Sequence, residues 1–313
     1  MSSPPNNVLV FGAAGAVGRA AAVSASKRGA KVWLAMRDTS KSIPALRETD
    51  EKEAGFVRIQ ADLTDPSSLK AAVSKSGATI AFVYTIHQRP DHMKSAFEVL
   101  RDSGITNIIL LSSFSVRPSA EEAKNFDFIP RAHAEVELEL IASGVKHVAV
   151  RPAFFNSNML WYREGIKKGE LELFAPESRF DFIATEDIGA VVGTLLTTPS
   201  AWLPENEKNG KSIYLCGPKI MDRKEALGVI SRVLGKEISV KGTGEEGFWE
   251  QMQHLPRPVA ESIFAGTKRN IPPNTEYEEG FWVSAVENVR KYAEREPTSF
   301  VDWVKAHKDE FEQ

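Results

Sequence analysis

Three glycines at three-residue intervals, Gly12, Gly15 and Gly18, lie in the run Val8-Leu9-Val10-Phe11-Gly12-Ala13-Ala14-Gly15-Ala16-Val17-Gly18-Arg19. An apolar strand delivers the chain to a tight turn, where glycine adopts backbone angles closed to other residues. Without a side chain at Gly15 a pyrophosphate can approach the backbone, and without one at Gly18 the next helix can lie close on the sheet. The orphan amides and positive end of that helix then face the phosphates. The turn reads as a dinucleotide cradle made by Gly12, Ala14, Gly15, Ala16, Val17 and Gly18, on a variant of the usual glycine spacing. Arg37 follows at the end of the next apolar run, 19 residues past Gly18. A carboxylate at that place serves the ribose hydroxyls of NAD, whereas an arginine accommodates the 2′-phosphate of NADP. Lys41 can reach the same phosphate. The pair favours NADPH, by about 1.5–3 kcal/mol per charge-assisted contact. The alternative is an exposed loop in which Asp38 takes the ribose after all.

Five further positions carry chemistry. Asp62 and Leu63 end the third apolar run, where an adenine ring would lie; the carboxylate could accept from its amine and the leucine cover its face. Asp62 could equally be a helix N-cap. His87 leaves the fourth run at its carboxyl end, the edge where open α/β sheets bind ligands; the alternative is a loop residue before the helix opening at Pro90 and Asp91. His133 shares a helix face with Val136 and Leu140 and can exchange a proton near neutral pH. An isolated histidine on such a face can also be hydrogen-bonded core. Ser113, at the end of the fifth run, is placed to orient a substrate oxygen.

These residues need a sheet with all its strand ends on one edge. Apolar runs at 8–11, 31–36, 56–59, 79–84, 108–111 and 148–150 alternate with helical segments, which implies a parallel sheet with right-handed crossovers. The fold expected is α/β, a doubly wound parallel sheet of Rossmann type. Residues 1–153 form the dinucleotide-binding core, and 154–313 form a mainly substrate-binding part with a sheet strand near 212–216. In that second part Phe180–Ile183 reads as a short strand, and helices are expected over 186–197, 222–234, 246–253 and 298–311. Its aromatics Phe154, Phe155, Trp161, Tyr162, Phe248, Trp249, Phe264, Phe281 and Trp282 could line an apolar pocket or simply form core.

Composition narrows the function classes. A net charge of −3 with no basic block argues against direct nucleic-acid binding. The single cysteine, Cys216, excludes a disulfide framework, and no His-Glu-x-x-His pair suggests a metal. The chain has no Gly-x-Ser-x-Gly elbow, and no Gly-Lys-Ser/Thr follows the glycine turn, against a serine hydrolase and a P-loop. The polar start Met1–Asn7 lacks a signal-peptide plan, and no apolar run reaches the ~20 residues that span a bilayer. The expectation is a cytoplasmic protein that does not engage membranes.

The chain resembles the NmrA-like family of atypical short-chain dehydrogenases/reductases. The likeness rests on Gly12–Gly18, Arg37, Asp62-Leu63, His133-Ala134-Glu135-Val136-Glu137, Arg151-Pro152-Ala153-Phe154-Phe155-Asn156 and Thr185-Glu186-Asp187-Ile188. It implies a cofactor core with a smaller C-terminal substrate part, usually NADPH, and a cofactor contact from Phe155. The family is similar both to reductases and to cofactor-sensing regulators. Ordinary short-chain dehydrogenases carry Tyr-x-x-x-Lys after the fifth strand, but here Ile129-Pro130-Arg131-Ala132-His133 stands instead. A positioned general acid is worth ~100- to 10,000-fold in rate. The expectation is therefore an NADPH-dependent reductase of an apolar carbonyl or conjugated alkene, with His133 or His87 supplying the proton. The alternatives are a sensor that binds NADPH and a protein partner without turnover, and a non-redox isomerase or lyase on the same fold.

Overall fold

A computed structural model describes residues 6–198 and 210–312. Seven parallel strands form one sheet in the order β3-β2-β1-β4-β5-β6-β9: β1 Asn7–Phe11, β2 Lys31–Met36, β3 Val57–Gln60, β4 Ile80–Tyr84, β5 Asn107–Leu111, β6 Lys146–Pro152 and β9 Lys211–Leu215. The order reverses at β1, so a crevice opens at the carboxyl ends of β1 and β4. Strands covered on both faces need continuous apolar runs. Val8, Leu9, Val10 and Val83 are fully buried for that reason.

One face is covered by α1 (Ala16–Lys27), α8 (Thr185–Thr197) and α12 (Glu279–Ala293), the other by α3 (Pro66–Ser76), α4 (Lys94–Asp102) and α6 (Phe128–Ala142). The small side of α1 is met by glycines of α8. A Cβ on Gly189 would stand 2.7 Å from the Ala20 carbonyl carbon, so the two helices touch backbone to backbone. The chain past residue 153 thus feeds both the sheet layers and a third, aromatic cluster built around Phe182, Phe248, Trp303 and Phe311.

Several local expectations are corrected. The helix expected at Pro90-Asp91 starts at Lys94, because His92 and Met93 take left-handed angles while the Asp91 carboxylate accepts from Met93 and Ser95 amides. Phe180–Ile183 keeps only a two-residue strand, β8 (Arg179–Phe180), paired with β10 (Met221–Asp222); Phe182 turns left-handed and Asp181 is spent inside. The helix expected over 298–311 breaks at His307 into α13 (Phe300–Ala306) and α14 (Lys308–Glu312). Helices α2 (Glu48–Glu53), α5 (Ala120–Ala123), α7 (Arg163–Lys168) and α11 (Arg257–Arg269), like α12, lie where no helix was expected. So does the parallel pair β7 (Glu170–Phe174) and β11 (Ser239–Thr243), while α10 (Glu245–Gln251) stands where a helix was expected. Among the described residues no helix is long and apolar enough to cross a membrane.

Candidate functional site

At the end of β1, Gly12 has φ +73°, and a Cβ there would stand 2.9 Å from the Tyr84 ring. The Gly15 amide donates to the Gly12 carbonyl at 2.9 Å, closing the turn. A Cβ on Gly18 would lie 2.6 Å from the Gly12 carbonyl carbon, so the first turn of α1 rests on the loop. No side chain caps α1 and its first turn holds no acid, which leaves its amino end available to an anion. Val17 points into the core, so only its backbone can serve a ligand.

A groove of about 540 Å³ runs from this turn along the ends of β2 and β3, walled by Gly12, Ala14, Arg37, Lys41, Asp62 and Leu63 among others. Asp38 lines it too, but its Oδ1 accepts from the amide (2.9 Å) and hydroxyl (2.6 Å) of Ser40, which hold its carboxyl below the usual range. Asp62 does not cap α3; Asp65 does, accepting from the Ser67 amide. Asp62 instead accepts from the amide and hydroxyl of Thr64, each at 2.8 Å, on the groove wall.

Tyr84 divides the groove from a second cavity of about 530 Å³ and lines both. The second cavity opens beyond the ends of β4, β5 and β6. Its walls include His87, Ser113, His133, Phe114, Phe154, Phe155 and Trp161, closed from the far side by Val259 and Ile263 of α11 and by Tyr277. Of the nine second-half aromatics, Phe154, Phe155 and Trp161 face it; Tyr162 and Phe248 are core, and the other four pack against that core.

The two histidines are brought together. Their Nε2 atoms lie 3.1 Å apart, so one donates and the other accepts. Burial, then the facing His87 and the Arg151 guanidinium, push His133 down to about 3, so it is neutral at pH 7. Its Nδ1 is buried without a hydrogen-bond partner among the described residues. Burial also lowers His87, which stands above it, exposed to the cavity. His133 is thus hydrogen-bonded to a second titratable ring at a cavity wall. Ser113 Oγ lies 2.8 Å from Ser115 Oγ on the same wall.

Beneath this wall lies a buried charge pair with no local sequence signal. The Arg151 Nε donates to Glu137 at 2.9 Å and its Nη2 to the other oxygen, while Ser112 donates to the same carboxylate. Arg151 Nη1 donates to the Tyr214 hydroxyl, which in turn donates to the Val116 carbonyl at 2.9 Å. Glu137 and Arg151 stood within segments of the family resemblance, yet nothing in their spacing indicated contact. Asp181 was missed likewise: it accepts from the Phe154 and Gly217 amides and from Tyr277 Oη at 2.8, 2.7 and 3.0 Å. It thereby ties the second cavity's walls together.

Glycine turn, seven-strand order and crevice define a doubly wound protein of Rossmann type. The structure of Escherichia coli NADPH-dependent quinone oxidoreductase with NADPH has the same fold (TM-score 0.71, 16% identity, 96% of this chain and 99% of that one). The particular family follows from sequence: a profile of the NmrA-like family matches residues 4–304, and the chain belongs to that family. It is 35% identical to the nitrogen metabolite regulation-like protein bik4 of Gibberella fujikuroi, over 97% of this chain and 98% of that one. It is 26% identical to the (4-alkanoyl-5-oxo-2,5-dihydrofuran-3-yl)methyl phosphate reductase of Streptomyces griseus, over 97% and 99%.

Proposed function

We propose that this chain is a cytoplasmic NADPH-dependent oxidoreductase that reduces an apolar small molecule carrying a carbonyl or conjugated alkene. One observation carries the reading: a glycine-floored groove with two cations meets an aromatic cavity holding a histidine pair, and Tyr84 lines both. The residues fit a dinucleotide. Gly12, Gly15 and Gly18 leave the space that a Cβ would take, and the uncapped α1 amides of Ala16 and Val17 can take the pyrophosphate. Arg37 and Lys41 would hold the 2′-phosphate, Asp62 and Leu63 the adenine, and Phe155 the inner end. Reduced nicotinamide supplies a hydride when bound. The protein's own work is to align the acceptor carbon by Phe154, Trp161 and Ile263 and to exclude water around it. Ser113 orients the substrate oxygen, and the histidine pair delivers the proton that completes the two-electron reduction. His87 faces the cavity and makes the transfer; His133, neutral beneath it, fixes its ring. Relatives named as reductases support this reading.

The test is a screen of apolar enones, ketones and quinones with NADPH deuterated at the transferable position. Deuterium in the product, with a rate cut at least ~100-fold in His87→Ala, is the expected result. A second reading has two observations behind it: the Tyr-x-x-x-Lys pair is absent, and a 35%-identical relative is named for regulation. A cofactor-sensing regulator would bind NADPH tightly, turn nothing over, and pull down a protein partner in a cofactor-dependent way.

A further inference from the structure

Arg58, on β3, lines neither cavity, yet it holds the loop that brings cations to the groove. Its Nη1 donates to the carbonyls of Thr39 and Lys41 at 2.7 and 2.9 Å. Its Nε and Nη2 donate to the two carboxylate oxygens of Glu51 at 2.8 and 2.6 Å. Glu51 is 7% exposed, on the short helix α2. The planar fork is therefore filled on both edges, by a buried carboxylate and by loop backbone, a geometry that lysine cannot reproduce. The same loop gives Arg37, Asp38 and Lys41 to the groove wall. Within it the Ser40 amide and hydroxyl occupy one oxygen of Asp38, the acid that would otherwise compete for the ribose. A loop anchored in advance does not lose that conformational freedom when a ligand arrives.

We infer that Arg58, clamped by Glu51, is a positioning residue that shapes residues 37–41 into a site selective for a ribose 2′-phosphate, with Ser40 holding Asp38 back. This rests on the cofactor reading given above. Arg58→Met frees two loop carbonyls and leaves Arg37 and Lys41 in place but unheld. Ser40→Ala releases Asp38 toward the ribose hydroxyls.

The test compares dissociation constants of NADPH and NADH, and of 2′,5′-ADP and 5′-AMP, across wild type, Arg58→Met, Arg58→Lys and Ser40→Ala. Arg58→Met is expected to cut the NADPH-over-NADH preference about tenfold, chiefly through NADPH. Arg58→Lys, which keeps the charge but not the fork, should fall between it and wild type. Ser40→Ala should tighten NADH. Equal loss of both cofactors in Arg58→Met, no change in either, or full preference in Arg58→Lys would overturn the inference while leaving the cofactor reading intact. A wild type indifferent to the 2′-phosphate overturns both. If Arg58→Met fails a circular-dichroism check of folding, Arg58→Lys and Ser40→Ala decide the matter by the same ratios.

Discussion

At the scale of single residues, the buried Glu137–Arg151 pair holds the floor of the second cavity. Both side chains are almost wholly inside, with 4% and 6% exposed. Two desolvated charges gain little net stability over apolar residues of similar shape, but removing one strands the other. Glu137→Gln should therefore lower unfolding free energy by about 3–5 kcal/mol. The joint change Glu137→Leu with Arg151→Met should recover a large part of it. Urea denaturation reads both, and a Glu137→Gln protein as stable as wild type would mean that water reaches Arg151. The pair also explains why Ser112 and its neighbours hold their place at the end of β5, since Ser112 donates to the same carboxylate.

At the scale of elements, two helices meet where glycine permits no substitute. Gly189→Val would drive a side chain into the Ala20–Ala21 backbone, with the added Cβ 2.7 Å from the Ala20 carbonyl carbon. Neither partner is a flexible side chain, so α1 and α8 must separate, at a cost of about 1–3 kcal/mol or more. Gly228 offers the contrast. It sits within α9 (Arg223–Leu234), and an added Cβ would meet nothing closer than the Arg232 guanidinium at 3.6 Å. Gly228→Ala should stabilise by about 0.5–1 kcal/mol through helix propensity alone. Thermal melts of the two variants should move in opposite directions; a stabilised Gly189→Val would show that the helices can move apart freely.

At the scale of the whole molecule, acid should weaken the fold. Burial holds His133 at about 3 in the folded chain against an ordinary 6.5. A histidine lowered on folding contributes no penalty above 6.5 and costs stability progressively as pH falls from there toward 3. His87 and His147 are lowered too, chiefly by burial. Three groups act with the opposite sign: His307, Asp181 and Asp187, the last with its carboxyl raised by burial. His307 is raised by Glu186, and its contribution is lost as pH rises through its folded value. Asp181 is raised by burial to about 6, so its contribution is lost between 3.8 and about 6 as pH rises. With three lowered histidines set against these, Tm should drop between pH 7.5 and 5.5. His133→Phe should flatten that drop; an unchanged slope in this variant would show that His133 is not the group responsible.

Much was legible in the sequence because it was local. A buried parallel strand must be apolar throughout, and a dinucleotide turn must be glycine at set intervals. The seven-strand sheet and the turn at Gly12 follow from such short-range rules, and so does the placing of Arg37, His87 and Ser113 at strand ends. What only the tertiary structure decided concerns partners far apart in the chain. His87 and His133 are 46 positions apart, Asp181 and Tyr277 are 96, and nothing in either segment specifies that they touch. Helix α4 begins late because His92 and Met93 turn left-handed while the Asp91 carboxylate accepts from the Met93 and Ser95 amides, a local hydrogen-bonding scheme that composition does not settle. Residues 256–277 carry no motif, yet Val259, Ile263 and Tyr277 close the second cavity. Side-chain spacing dictates which face of an element is apolar. Which other face it meets is decided when the whole chain buries its surface at once, and the walls of the second cavity are made there.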